Sequence, residues 1–295
     1  MTILYSLKSG LNRALNVRKG VLIFWFSFFI MIMVFIFPFR GSLNSVFGSS
    51  MITEKLADGF DIEVFADLGP VLKSLVSFFK AGFMIIFLVG YLINTFITAG
   101  LFGTIKNSSG KFSSQEFFKA AVINFWSYFI ITLIISLIID FFSVIIIGVP
   151  ALIASLSESI SEKSAYMIVF GSIIIWFVFL PVFFLIADYA RAWKASKIND
   201  SVFKATGRGF SLTFSRFWRS YFMMLILMII QLVPIILIGY FLPAWKPVTA
   251  GGVFLLLIVS QLLILLRLFL KTWRYASVTS MMETDPVSME VPNKY

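Results

Sequence analysis

Six long runs of apolar residues dominate this chain, and most charged residues fall between them. The runs are 21–39, 81–105, 120–149, 164–187, 220–242 and 248–266. A helix needs about 20 residues to cross the hydrocarbon core, and backbone groups surrounded by lipid must find their hydrogen bonds within the segment itself. The pattern therefore predicts an all-α polytopic membrane protein in one membrane domain, 1–295, with six transmembrane helices arranged as three hairpins.

The first run invites a second interpretation as a cleavable signal peptide. It is long for the apolar part of a signal, however, and it ends in Pro38-Phe39-Arg40 without a small-x-small cleavage site. A retained first span is the better interpretation.

Lysine and arginine are distributed unequally between the two sets of connecting segments. One set of segments holds 18 of the 24 basic residues. It consists of the N-terminus, the loops 106–119 and 188–219, and the tail 267–295. Basic residues accumulate on the cytoplasmic side of membrane proteins. The distribution predicts that both termini are cytoplasmic and that 40–80 is an outer loop.

Composition narrows the chemistry that the chain can perform. Hydrophobic residues make up 60% of it and charged residues only 13%, and it has neither cysteine nor histidine. Disulfides, zinc sites built on Cys or His, and Ser-His or Cys-His catalysis are therefore excluded. The net charge of +10 is explained by topology and by anionic lipid headgroups, so no nucleic-acid partner is expected. No cofactor is expected either.

Sequence patterns of membrane enzymes are incomplete in this chain. Ala190-Arg191 matches one element of a CDP-alcohol phosphotransferase, but the series of aspartates that this enzyme needs is missing. Asp140 has no second aspartate of the kind that an intramembrane aspartyl protease requires, and no phosphate-binding Gly-Lys loop occurs. The sequence predicts that the protein is not an enzyme.

Three basic segments have the pattern of interfacial helices. Residues 2–19 alternate leucines with polar positions, Ser113-x-x-Glu116 forms a capping-box pattern, and Asn199-Asp200-Ser201 offers an N-cap before phenylalanines at helical spacing. Such helices either lie on the membrane and direct insertion, which is the preferred interpretation, or form a docking surface.

A weak internal repeat accompanies these segments. Phe125-Trp126-Ser127-Tyr128-Phe129 is similar to Phe217-Trp218-Arg219-Ser220-Tyr221-Phe222, with a looser copy in 21–29. Three units, each an interfacial helix followed by a transmembrane hairpin, would produce this pattern. Shared chemistry at the membrane interface would produce it as well.

Asp140 is the one charged side chain well inside a predicted span. A carboxylate facing lipid is costly, so we expect Asp140 to face the bundle or a water-filled cavity, with Ser136 and Ser143 on the same face. A transport or proton site and a water-reached structural carboxylate both fit. The acidic outer stretch 58–63 lacks the ligand spacing of an EF-hand and is interpreted as a solvated loop.

Other polar residues within the spans are candidates for a polar interior. They are Asn94, Gln231 and Gln261. Interhelical hydrogen bonds usually explain such residues, and the small pair Gly100-x-x-Gly103 is expected to let two helices approach closely.

Asp188-Tyr189-Ala190-Arg191 ends the fourth run. Asp188 and Arg191 are three residues apart and share a helix face, so they can pair. The pair either neutralises two charges at the membrane edge, or Asp188 orients Arg191 to bind a lipid phosphate or a partner carboxylate.

This Asp-Tyr-Ala-Arg element resembles one found in bacterial six-span inner-membrane proteins of uncharacterised function. The stretches 99–103, 117–118 and 60–68 are similar to theirs, and that set in turn resembles the membrane domain of some glycerophosphodiester phosphodiesterases. The resemblance implies a bacterial inner membrane and six spans, and it assigns no catalytic residue.

Two functions follow as hypotheses. The first, preferred because transport proteins are common among six-span folds, is a permease or translocation subunit that uses Asp140, Asn94, Gln231 and Gln261. The second is a non-transporting scaffold or lipid-organising protein, whose basic face binds anionic headgroups or other membrane-protein subunits.

Overall fold

The computed structural model describes residues 3–47, 69–106, 112–157, 161–245 and 249–284. All regular elements in these ranges are helices. They are α1 (Ile3–Asn16), α2 (Arg18–Phe47), α3 (Gly69–Lys106), α4 (Ser114–Ser143), a π-helical segment (Val144–Gly148), α5 (Val149–Leu156), α6 (Glu162–Ser196), α7 (Val202–Ser215), α8 (Phe217–Ala244) and α9 (Ala250–Glu283).

Six stretches of the described residues are long and apolar enough to cross a membrane, which confirms an all-α polytopic fold. They are Arg18–Pro38, Val76–Lys106, Ser114–Leu156, Glu162–Ser196, Phe217–Tyr240 and Ala250–Glu283. Each corresponds to one predicted run. The acidic stretch 58–63 of the predicted outer loop lies outside the described residues.

The chain forms two compact units. The main unit comprises Met1–Leu22 and Thr95–Tyr295, and the hairpin unit comprises Ile23–Asn94. Within the hairpin unit, α2 and the first part of α3 line an apolar groove of about 510 Å³. Its polar lining residue Ser27 donates its hydroxyl proton to the carbonyl of Ile23, at 2.8 Å, so the groove presents an apolar surface.

The last helix continues well past the sixth predicted run. The sequence placed the end of that run at residue 266, whereas α9 extends to Glu283 and is almost entirely buried from Arg274 to Met282. A helix of 34 residues is about 51 Å long, so a considerable part of it lies beyond the hydrocarbon core. Most of the predicted tail is therefore a structural helix of the main unit.

Helix α1 docks onto α9 through small residues. Ser6, Gly10 and Ala14 follow one another at intervals of four and are all buried. A Cβ atom added to Gly10 would overlap Ser277 of α9. Because the small stripe faces the protein, the leucines that define the amphipathic pattern lie elsewhere, and Leu4 and Leu15 are exposed.

Helix α7 docks onto α6 in the same way. Its buried residues include Ala205, Gly209 and Thr213, again at intervals of four. A Cβ on Gly209 would lie 2.5 Å from the carbonyl oxygen of Ile186. Both interfacial helices therefore dock onto the bundle through small residues and do not rest on the membrane alone.

In the described part of the segment 106–119, residues 112–119 contain the start of α4 and no separate interfacial helix. Ser113 is the N-cap of α4 itself and accepts a hydrogen bond from the backbone N–H of Glu116, so the capping pattern marks the start of a span. Gly100 and Gly103 let the end of α3 lie against Phe117 and Ala120 of α4, as the small-residue pattern predicts.

Polar contacts bring four basic segments of the main unit to one end. Arg13 of α1 pairs with Glu283 of α9 at 2.6 Å, and Lys106 of α3 donates to the carbonyl oxygen of Ser196 of α6 at 3.3 Å. An ion pair at 2.9 Å between Arg274 of α9 and Asp188 of α6 joins the two pairs of segments. We call these four segments the basic end: α1, the end of α3, residues 188–219 and residues 267–283. The N-terminal helix and the end of the last helix thus share a side, as an even number of spans requires.

Gly209 and Gly207 of α7 form a matched pair for testing this packing. We expect Gly209→Ala to lower the unfolding free energy by about 1–3 kcal/mol, because its methyl group would collide with the α6 backbone. A Cβ on Gly207 meets nothing within 4 Å, so Gly207→Ala should be neutral or stabilise by up to about 1 kcal/mol through helix propensity. Thermal unfolding of both variants in detergent micelles measures the difference, and equal effects would refute close docking of α7.

Candidate functional site

A buried carboxylate joins α6 to α9. Asp188 is fully buried and accepts a hydrogen bond from Nη1 of Arg191 at 3.0 Å through Oδ1. Its other oxygen, Oδ2, lies 2.9 Å from Nε of Arg274 on α9. These three residues form the Asp188 cluster. One carboxylate thus contacts cations from two helices, and the predicted pair Asp188–Arg191 is confirmed and extended by a third residue.

Helix α4 contributes two further contacts to the cluster. Nη2 of Arg191 donates to the hydroxyl of Thr132 at 3.0 Å, and the hydroxyl of Tyr128 donates to the carbonyl oxygen of Arg191 at 2.7 Å. Tyr128 is fully buried. Side-chain and backbone groups of Arg191 are therefore both fixed, and three helices, α4, α6 and α9, meet at the Asp188 cluster.

Aromatic rings surround the Arg274 guanidinium. Its central carbon lies 4.9 Å from the ring centroid of Phe184 and 5.2 Å from that of Tyr275. The Tyr275 ring in turn lies 4.7 Å from the ring of Phe102. A guanidinium interacts favourably with such ring faces, so these contacts hold the Arg274 side chain in place independently of Asp188.

Sequence reasoning missed Arg274, although a signal was present. Arg274-Tyr275-Ala276 matches Asp188-Tyr189-Ala190 with the charge reversed, and the two triplets occupy the basic ends of α9 and α6. The predicted repeat at the starts of the spans stays a prediction, and this triplet adds a similarity at the ends of two helices. Opposite charges at equivalent positions were the available clue that the two elements pair.

The turn between α6 and α7 is held by a second polar group. Asp200 accepts hydrogen bonds from the indole N–H of Trp193 at 2.9 Å and from Nζ of Lys204 at 2.8 Å. The hydrogen bond from Lys204 lowers the pKa of Asp200, partial burial opposes this, and Trp193 adds to the lowering. Ser201 caps α7, as predicted, and Arg208 lies over the Trp193 ring at 5.2 Å.

The remaining predicted site residues are not part of the Asp188 cluster. Asp140 is exposed and lies eight residues, or about 12 Å along α4, beyond Thr132. Gln231 and Gln261 are half-buried on α8 and α9, and Asn94 is half-buried in the hairpin unit. The Nε2 group of Gln231 is enclosed and has no hydrogen-bond partner among the described residues.

Comparison of the chain with protein-family models, with curated proteins and with solved structures found no match. The resemblance to six-span bacterial proteins therefore stays a prediction. Among the described residues, no group of three or more His, Cys, Asp or Glu side chains could hold a metal ion.

The Asp188 cluster yields a stability prediction. Asp188→Asn leaves two arginines without a counter-charge in a buried position, so we expect a loss of about 3–5 kcal/mol of unfolding free energy. The matched change Asp140→Asn, at an exposed carboxylate, should stay within about 0.5 kcal/mol of the parent. Thermal unfolding in detergent micelles tests both.

Coupling within the cluster can be measured directly. Arg274→Gln added to Asp188→Asn should cost less than the sum of the two single changes, because the second removes a charge that the first has left unpaired. Strict additivity would show that the two residues do not interact.

Proposed function

We propose that this chain is a non-catalytic multi-pass protein of the bacterial inner membrane, with both termini cytoplasmic, that binds and orders anionic lipids at its basic end. The observation that carries the proposal is the way in which α1 and α7 dock. Each helix uses a stripe of small residues to contact the bundle, and this leaves its large apolar side chains for the membrane surface.

The exposed side chains of both helices have the chemistry of a membrane interface. Phe203 and Phe214 of α7 are 77% and 57% exposed, and Leu4 of α1 is 75% exposed. Lys8 lies exposed beside Leu4 on the same helix. Apolar side chains beside basic ones are typical of helices that lie in the headgroup region, so the basic end is shaped to contact a leaflet.

Basic residues next to these helices add an electrostatic component. Arg18 and Lys19 follow α1, Arg219 begins α8, and all three are exposed. A lysine or arginine near an anionic leaflet contributes about 1 kcal/mol. Binding of another membrane-protein subunit to the same surface is the alternative outcome of the test below.

Lipid selectivity measures this function. We expect the protein in proteoliposomes to immobilise spin-labelled phosphatidylglycerol in preference to phosphatidylcholine. The preference should fall towards equality in the quadruple variant K8Q/R18Q/K19Q/R219Q, because the attraction is electrostatic.

A second quadruple variant removes the same charge from positions that are predicted to lie on the other side. This variant is R40Q/K73Q/K80Q/K163Q, and all four parent side chains are exposed. It should leave the preference for phosphatidylglycerol unchanged. The proposal is wrong if the parent shows no preference or if both variants lose it equally. A protein that co-purifies stoichiometrically and blocks the lipid effect would instead identify a subunit interface.

Transport is a second candidate function, supported by Asp140. Its carboxylate is exposed on an otherwise uncharged part of α4, one turn before the π-helical segment Val144–Gly148. Such segments occur frequently at functional sites, although Pro150, which lacks a backbone N–H, accounts for this one locally. A carboxylate at this depth is maintained most easily beside water.

Thiol labelling distinguishes the two functions, because the chain contains no cysteine. Asp140→Cys should resist a membrane-impermeant maleimide from both sides if no aqueous path reaches it, and it should react if one does. Ser215→Cys and Lys163→Cys serve as references and should react from the cytoplasmic and the outer side respectively. Labelling of both references from one side would refute the proposed topology.

A further inference from the structure

The Asp188 cluster has a surplus of positive charge. Lys271 lies one helical turn before Arg274 on α9, and its Nζ atom is 5.9 Å from the centroid of the Tyr275 ring. Two arginines thus stand beside one carboxylate, and Lys271, which contacts Tyr275, adds a positive charge on the neighbouring turn of α9. Arg191 and Arg274 are both buried, being 9% and 7% exposed. A buried charge is costly unless a counter-charge is near, so the surplus favours a bound anion.

Several hydrogen-bond donors of the cluster are also unused. Nε of Arg191 is enclosed and has no partner among the described residues. Arg274 contacts Asp188 through Nε alone, which leaves its two terminal nitrogens for another acceptor. Since Phe184 and Tyr275 already hold this guanidinium, its donors are oriented before any ligand arrives.

The chemistry of these donors selects the ligand. Guanidinium groups match the oxygen geometry of phosphate and bind it through paired hydrogen bonds, and an ammonium group adds a point charge. The cluster begins directly after the predicted fourth span, which ends at residue 187, and lies just beyond the sixth, which ends at residue 266. It is therefore close to the level at which lipid phosphates are found.

We propose that Arg191, Arg274 and Lys271 form a binding site for one phosphate group, supplied by the headgroup of an anionic phospholipid. Asp188 orients the two arginines and is a positioning residue. This inference rests on the proposed lipid-binding function and gives it a single stoichiometric site, which is distinct from the exposed surface of α1 and α7.

Native mass spectrometry of the intact protein tests the site. After a delipidating wash and titration with phosphatidylglycerol, the parent should retain one lipid per chain. Lys271→Gln should weaken this binding about tenfold or more, because it removes one charged donor. It leaves both ion pairs of Asp188 intact, and its melting temperature without lipid or phosphate checks that it is folded. Arg274→Gln should weaken binding further, and Lys163→Gln is the matched control that should bind like the parent.

A second arm separates the possible sources of the phosphate. Inorganic phosphate should raise the melting temperature of the delipidated parent more than chloride at equal ionic strength, and Lys271→Gln should abolish the difference. A response to inorganic phosphate without retained lipid would assign the site to free phosphate and overturn the lipid assignment.

The site itself is refuted if the parent shows neither response or if Lys271→Gln responds like the parent. The quadruple variant K8Q/R18Q/K19Q/R219Q keeps the cluster intact and should still retain its one lipid. Loss of surface selectivity and loss of this bound lipid are therefore separate results. The proposed function and the proposed phosphate site can each be refuted without the other.

Discussion

The contact between Asp188 and two arginines is the constraint on which the main unit depends. A carboxylate without solvent is unfavourable unless its oxygens are paired, and here Oδ1 faces Arg191 while Oδ2 faces Arg274. Because the two arginines lie on α6 and α9, the position and rotation of these helices are linked. Thr132 on α4 then fixes Arg191 from a third direction.

Close packing around this contact follows from small residues. Gly209 lies against the α6 backbone, and Gly10 lies against Ser277 of α9. Without large side chains between them, α1 lies close against α9 and α7 lies close against α6. The same packing leaves Leu4 of α1 and Phe203 of α7 exposed on the outer faces, and this is the surface that we propose contacts the membrane.

The candidate site could be predicted from the sequence only in part. The spacing of Asp188 and Arg191 was sufficient to predict their pairing, because residues three apart share a helix face. Arg274 is 86 positions further along, and only the packing of α9 on α6 brings it to Asp188. Asp140 lies apart from the cluster and is exposed, so the prediction that it contacts a water-filled cavity stays a prediction.

The sequence by itself determined that there are six spanning helices and where the centre of each lies, because long apolar runs have no other stable form in lipid. It also determined that Ser113 and Ser201 begin helices, since capping is local. Only the tertiary structure decided that α9 continues as a buried helix to Glu283, and that α1 docks by its small face and not by its leucines. Those outcomes depend on which surfaces meet, and an amphipathic pattern does not specify which helix a given face will contact.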